Sequence, residues 1–163
     1  MTRFLIAVVN HRHARLFTFE ENDFPEKYPP ALTERQEVIN EHFNQRAKAL
    51  WSNLQSGHNR STVSHTYGYD DHRASHIQEF ERRFVEDIVS QFQTLHEAYH
   101  PHRFILVAAP KLLGLIRSSL TPGQVESLQP YELAKDLNKF TTPDIYRYLA
   151  EKQLLPKLRR ATT

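Results

Sequence analysis

Histidine poses the first chemical question in this chain. There are ten of them, and near pH 6.5 about half of a set of unperturbed imidazoles carries charge. His72 and His76 stand four apart, with Asp70 and Asp71 just before them. On a helix that spacing puts both imidazoles on one face, where they can share a metal ion if a carboxylate completes the set. The ordinary alternative is a solvated helix face, because Ile77 and Phe80 mark the apolar side. That alternative is preferred: no His-Glu-x-x-His motif is present, and no metal or cofactor is expected. His96, His100 and His102 recur at the end of the same stretch, where an imidazolium favours the negative end of a helix dipole.

The basic residues raise a second question. Lys111 directly follows an apolar run and Pro110, so it falls in the first turn of a helix that leaves a buried strand. At that point open α/β sheets bind ligands, and backbone N–H groups can hold an anion. Lys135 and Asp136 follow a further strand and approach the same edge. A phosphate-bearing partner, RNA or a nucleotide, is the natural ligand. The plainer alternative is a solvated Lys111 and a local ion pair or cap at Lys135 and Asp136. Arg12, His13 and Arg15, with His58 and Arg60 in a long polar loop, could form a basic surface. Tyr67 and Tyr69 in that loop could stack on bases, or pack back onto the body. Lys157, Arg159 and Arg160 form a short basic end, read as a solvated helix terminus. No phosphate-binding or dinucleotide glycine motif and no Gly-x-Ser-x-Gly elbow is found.

These residues need elements to position them. The 163 residues fit one domain, with a helical or looped insertion at about 20–69. Hydrophobic residues make up 39% and charged residues 25%, the profile of a globular chain. The absence of cysteine excludes a disulfide scaffold, a zinc–thiolate site and a cysteine nucleophile. A net charge of +2 is too small to argue nucleic-acid binding from bulk charge. No apolar run reaches the ~18 residues of a membrane span, and Met1 to Val9 is too short for a signal peptide. A cytoplasmic protein without membrane insertion is therefore expected.

Residues 3–9 (RFLIAVV) and 103–109 (RFILVAA) are nearly continuous apolar runs, the pattern of strands buried on both faces. Residues 14–19 (ARLFTF) alternate, with Leu16 and Thr18 on one side and Arg15, Phe17 and Phe19 on the other. The short link 10–13 makes an antiparallel pair with the first run. Thr33-Glu34-Arg35-Gln36 reads as a capping box, and spacings from Val38 to Leu54 predict a helix over 33–54. A second, longer helix over about 71–99 carries a stripe of Ile77, Phe80, Phe84, Ile88, Phe92, Leu95 and Tyr99, ended by His100-Pro101. A helix over 110–120 follows; Gly114 inside it costs ~1 kcal/mol against alanine, which a close helix–sheet contact would explain. A strand near Leu128–Leu133 belongs at an edge because of Pro130. Thr141 or Thr142 caps a last helix.

Three segments, in order, carry a resemblance. Arg103–Arg117 (RFILVAAPKLLGLIR) is similar to the LVAPPRFLGLLR signature of the bacterial host-attachment protein family. Glu132–Leu137 (ELAKDL), followed by Thr141, Thr142 and a short helix, is similar too. Val8–Phe17 (VVNHRHARLF) resembles the family's VADGARARIF hairpin. The match covers about 3–19 and 70–152 and includes Lys111, Arg117 and Lys135. The family is named for a requirement in attachment to host cells and not for a reaction. It is similar to the middle domain of archaeal and eukaryotic peptide-chain release factors, which has a ribonuclease H-like fold. That implies RNA or the ribosome as partner, by analogy. Two departures matter: the chain has no Gly-Gly-Gln tripeptide, and Asn10 stands where the family's hairpin usually has Asp. Both speak against a carried-over hydrolase.

The expected molecule is a single α/β domain. It has a mixed sheet with an N-terminal antiparallel hairpin and a β-α-β-α second half, ribonuclease H-like, with helices covering the sheet. The expected function is a non-enzymatic binding module, RNA- or translation-associated, with Asn10, Arg12, Arg15, Lys111, Arg117, Lys135 and Asp136 as binding residues. One rival is a metal-assisted nuclease or esterase using Asp70, Asp71, His72, His76 and Asp136. Another is a homo-oligomeric interaction protein that pairs through Phe43, Leu50 and Trp51 of the 33–54 helix.

Overall fold

Backbone donors and acceptors in the two apolar runs must pair with each other once water is excluded, and they do. In the computed structural model, which describes residues 2–21, 31–41, 67–120 and 130–157 (backbone alone over 67–77), β1 (Thr2–Val9) and β4 (Arg103–Ala108) lie side by side and parallel, with Phe4 opposite Arg103 and Val8 opposite Val107. Phe4 to Val9 and Phe104 to Ala108 are all buried. β2 (His13–Glu21) returns antiparallel along β1, Thr2 opposite Glu21 and Val9 opposite Ala14. β5 (Pro130–Ala134) runs parallel to β4 at the sheet's edge, where the missing N–H of Pro130 is tolerated.

The other edge corrects the expected 33–54 helix. Thr33–Ile39 is a strand, β3, antiparallel to β2 from His13 opposite Ile39 to Thr18 opposite Thr33. The capping-box pattern is overridden because β2 needs a partner for its outer backbone groups. β3 supplies that ladder, with Arg35 Nε donating to Thr18 Oγ1 at 2.8 Å. Its side chains are exposed except Val38, so this segment has no apolar stripe for a helix to bury. Phe43, Leu50 and Trp51 lie outside the described residues, and the pairing helix expected across 33–54 does not exist at its start.

Strand order is β3-β2-β1-β4-β5, with β2 antiparallel to its neighbours and the rest parallel to β1. The sheet is mixed, as expected, and its order is compatible with the ribonuclease H-like arrangement. Side-chain alternation splits the core into two layers. Leu5, Ala7, Leu16, Phe104 and Leu106 face one way, under α1 (Tyr67–Tyr99) and α2 (Pro110–Ser119). Phe4, Ile6, Val8, Phe17, Phe19, Ile105 and Val107 face the other way, under α3 (Thr142–Glu151) and the chain beside it. There Phe19 meets Phe4 edge-on at 5.7 Å and stacks on Tyr146 at 5.6 Å.

α1 begins four residues earlier than the expected 71 and carries the expected stripe, with Phe84, Ile88 and Phe92 buried. Its carboxyl end is tied to β1. Arg3 Nη1 donates to Tyr99 O at 3.0 Å, its guanidinium lies 5.4 Å from the Tyr99 ring, and its Nε faces Glu20 at 3.5 Å. A cation at a helix carboxyl end is favourable, so Arg3 takes a role expected of histidine. His102 Nδ1 instead accepts the Arg3 backbone N–H at 3.1 Å. His100 closes the helix at φ 51°, the left-handed stop usually given to glycine. Among the described residues no helix is long and apolar enough to cross a membrane.

Gly114 overturns the close-contact expectation. It is exposed, and a Cβ there would meet nothing within 4 Å. Gly114→Ala should therefore stabilise the fold by about 0.5–1 kcal/mol in urea unfolding; a loss would mean that the glycine serves a contact after all.

Tyr99 gives a pH dependence. Burial, then its hydrogen bond to Glu20, pushes its hydroxyl up from 10.0 to about 12. The native state thus keeps a proton that the unfolded chain gives up. The stability this contributes is complete below about pH 10 and drains away as pH rises through about 12. Urea unfolding from pH 9 to 11.5 should show wild type losing stability relative to Tyr99→Phe; parallel curves would refute the coupling.

Candidate functional site

The carboxyl ends of β1, β3, β4 and β5 and the start of β2 meet at one edge of the sheet. The β1–β2 turn sits at its centre and is braced by asparagines. Asn10 Oδ1 accepts the N–H groups of Arg12 at 2.8 Å and His13 at 3.0 Å, an Asx turn that asparagine makes with its own backbone. Asn40, just past β3, donates its N–H to Arg12 O at 2.8 Å and its Nδ2 to His11 O at 3.0 Å. The buried Asn138 closes the far side. In the orientation that satisfies its amide, Nδ2 donates to Val8 O at 3.2 Å and Oδ1 accepts the Asn10 N–H at 2.8 Å.

Above this turn lies Glu81 of α1, only 8% exposed. A carboxylate so placed must be paired. Its Oε1 is 3.1 Å from His11 Nδ1 and its Oε2 is 3.3 Å from Lys111 Nζ. Both partners reach it from solvent, the His11 side chain 52% exposed and the Lys111 side chain 68% exposed. Lys111 comes from the first turn of α2, whose N-cap is Ala109. That turn has no side-chain cap and no acidic residue. Its first intrahelical bond is Leu113 N–H to Ala109 O at 3.0 Å, so the N–H groups of Lys111 and Leu112 come before the ladder.

The expected binding residues divide into two groups. Asn10, Lys111 and, at the ends of their strands, Arg12 and Lys135 share the edge. Arg15 and Arg117 are engaged internally. Arg15 grips both carboxylate oxygens of Glu34, at 2.9 and 3.1 Å, and donates to Asn138 O at 3.3 Å and Phe140 O at 2.8 Å. It thus ties β2 to β3 and to the chain after β5. Arg117 holds Glu132 of β5 by both oxygens, which raises its pKa further above the ordinary guanidinium value. Asp136 Oδ1 accepts the Asn138 N–H at 3.1 Å, which is the capping alternative to an ion pair with Lys135. Thr141 caps α3 through the Asp144 N–H at 3.3 Å.

The side chains of Asp70, Asp71, His72, His76, Tyr67 and Tyr69 lie outside the described residues, as do His58 and Arg60. Tyr67 and Tyr69 belong to the backbone of α1 and not to a loop. Among the described residues no group of three or more His, Asp or Glu side chains could hold a metal ion.

Glu81, His11, Asn40 and Asn138 escaped the sequence reading. The first had a signal: Glu81 lies four residues after Ile77, three before Phe84 and seven before Ile88, squarely on the apolar stripe. A carboxylate on that face marks a buried charge that needs partners.

Arg15 offers a direct check of the division. Arg15→Ala should cost about 2 kcal/mol, the scale of charge-assisted bonds lost from a part-buried site. Arg15→Lys should recover little, since an ammonium cannot fork to Glu34 and reach two carbonyls. Near-neutral stability for either in urea titration would return Arg15 to the pool of surface cations.

No curated protein matches this chain. One family does, over residues 5–149, and its description is "Protein required for attachment to host cells". With that match spanning most of the sequence, including both central strands, the turn, Glu81 and Lys111, the chain belongs to the host-attachment family.

Proposed function

We propose that this protein is a binding module that takes RNA, in the setting of translation, at the carboxyl edge of its parallel strands. The observation that carries the reading is the amino end of α2. An uncapped first turn, free of acidic residues, follows directly from β4 and bears an exposed Lys111. His11, in the β1–β2 turn, shares Glu81 with Lys111. A phosphate placed there gains backbone N–H groups, the positive end of a helix dipole and an ammonium together. Lys135 stands at the end of the adjoining strand β5. The resemblance to release-factor middle domains read from the sequence suggests the translation setting, with the cytoplasm as the matching compartment. The family's description states a requirement in attachment, which an RNA-binding protein can meet indirectly.

Mobility shift with a structured RNA at 50 and 200 mM salt tests the reading. Binding is expected with Kd below ~10 μM at the lower salt, about −7 kcal/mol, weakening at the higher salt, where releasing the RNA's counterions gains less entropy. Lys111→Gln should weaken it several-fold, whereas Lys157→Gln, at the opposite end of the fold, should not. Absence of salt-sensitive binding below ~10 μM, or indifference to Lys111→Gln, overturns it.

A further inference from the structure

The turn that carries His11 is held more firmly than a hairpin connection requires. Asn10, Asn40 and Asn138 restrain it through five hydrogen bonds, two accepted by Asn10 Oδ1, two donated by Asn40 and one donated by the Asn10 N–H to Asn138. The half-exposed imidazole is then aimed by a buried carboxylate, Glu81 Oε1 to His11 Nδ1 at 3.1 Å. Such restraint on an exposed side chain is the mark of a preorganised group. The carboxylate keeps the ring proton on Nδ1 and makes Nε2, on the far side of the ring, the basic nitrogen. Among the described residues Nε2 has no partner. Glu81 also holds Lys111, through its other oxygen at 3.3 Å. An imidazole base and an ammonium are thus fixed on either side of one carboxylate.

We propose that this edge cleaves the RNA it binds, with His11 as general base. The inference rests on the RNA-binding reading above and adds a reaction to it. His11 Nε2 takes the proton of a ribose 2′-hydroxyl. The 2′-oxygen forms a bond to the adjacent phosphorus, and the bond from phosphorus to the 5′-oxygen breaks. The 5′-oxygen leaves with a proton from water, and the imidazolium returns its proton to the hydroxide so formed. The products are a 2′,3′-cyclic phosphate and a 5′-hydroxyl end, with no net gain or loss of atoms or electrons. Lys111 and the first-turn N–H groups of α2 stand where the extra negative charge of the phosphorane develops. Glu81 is a positioning residue: it holds Nδ1 and balances the imidazolium, as carboxylates do behind catalytic histidines. DNA lacks the 2′-hydroxyl, so it can occupy the edge without reacting.

The experiment uses the full chain with a fluorescent single-stranded RNA in excess chelator, alongside its 2′-deoxy counterpart. The RNA should be cut to fragments ending in 2′,3′-cyclic phosphate, and the 2′-deoxy strand should stay intact. His11→Asn, purified identically, should lose at least about a hundredfold of kcat, the scale of general-base catalysis. Glu81→Gln should lower kcat about tenfold without weakening the Kd for the 2′-deoxy strand, since it frees Lys111 from its carboxylate partner, a split that a merely unfolded or loosened variant would not give. Cleavage equal in wild type and His11→Asn, cleavage of the 2′-deoxy strand, or firm binding of RNA with no cleavage overturns the inference. That last outcome leaves the binding reading standing; failure of both strands to bind removes the two together.

Discussion

The parallel pairing of β1 with β4 is the constraint on which the rest depends. Both strands are buried on both faces, so neither can expose its backbone without losing hydrogen bonds to the low-dielectric interior. Their register, Val8 opposite Val107, decides where each strand stops. It brings Asn10 and Ala109 out at the same edge, and so delivers the β1–β2 turn and the first turn of α2 to one place. A register slip by one residue would also exchange the two core layers, sending Leu106 to the α3 side and Ile105 toward α1. Position of the site and packing of the core are therefore fixed by the same ladder.

The polar residues around that edge follow from what the ladder leaves open. Strand ends must satisfy backbone groups that no neighbouring strand reaches, and asparagine does so without adding charge. Arginine is used to join elements: Arg3 takes acceptors from α1 and β2, Arg15 takes them from β3 and the chain after β5, and Arg117 of α2 grips the Glu132 carboxylate of β5. A planar fork with several donors suits that task better than an ammonium. Lysine is left for the solvent side, where Lys111 keeps an exposed ammonium paired with Glu81. The sheet is thus clamped by arginines, and its carboxyl edge carries Lys111 and His11.

Much of this was legible from the residues. Continuous apolar runs announced β1 and β4, alternation announced β2, Pro130 announced an edge, and a long stripe with steps of three and four announced α1. Thr33–Ile39 was misread because its evidence was local. Thr-x-x-Gln with Val38 and Ile39 suits a helix start, but the demand for a strand came from the outer edge of β2, distant in the chain. Gly114 was misread for the opposite reason, a tertiary cause being assumed where the helix merely tolerates a glycine facing solvent. The partners of Arg15 and Arg117 were out of reach, since Glu34 and Glu132 belong to other strands and only the fold selects them. Glu81 alone had a readable mark, as a charge in an apolar row.

Asn10 joins the geometry of the turn to the charge of the edge. An aspartate at position 10 could make the same Asx turn, because either side chain accepts from the N–H groups of residues two and three further on. What changes is charge. A carboxylate at position 10 would stand at the carboxyl edge together with Glu81, raise the negative charge near the amino end of α2, and compete with an incoming phosphate for Lys111. With asparagine the turn is kept and Glu81 remains the one carboxylate, among the described residues, that touches His11 and Lys111. A neutral side chain at position 10 thus keeps the turn and leaves the charges of this edge to His11, Lys111 and Glu81.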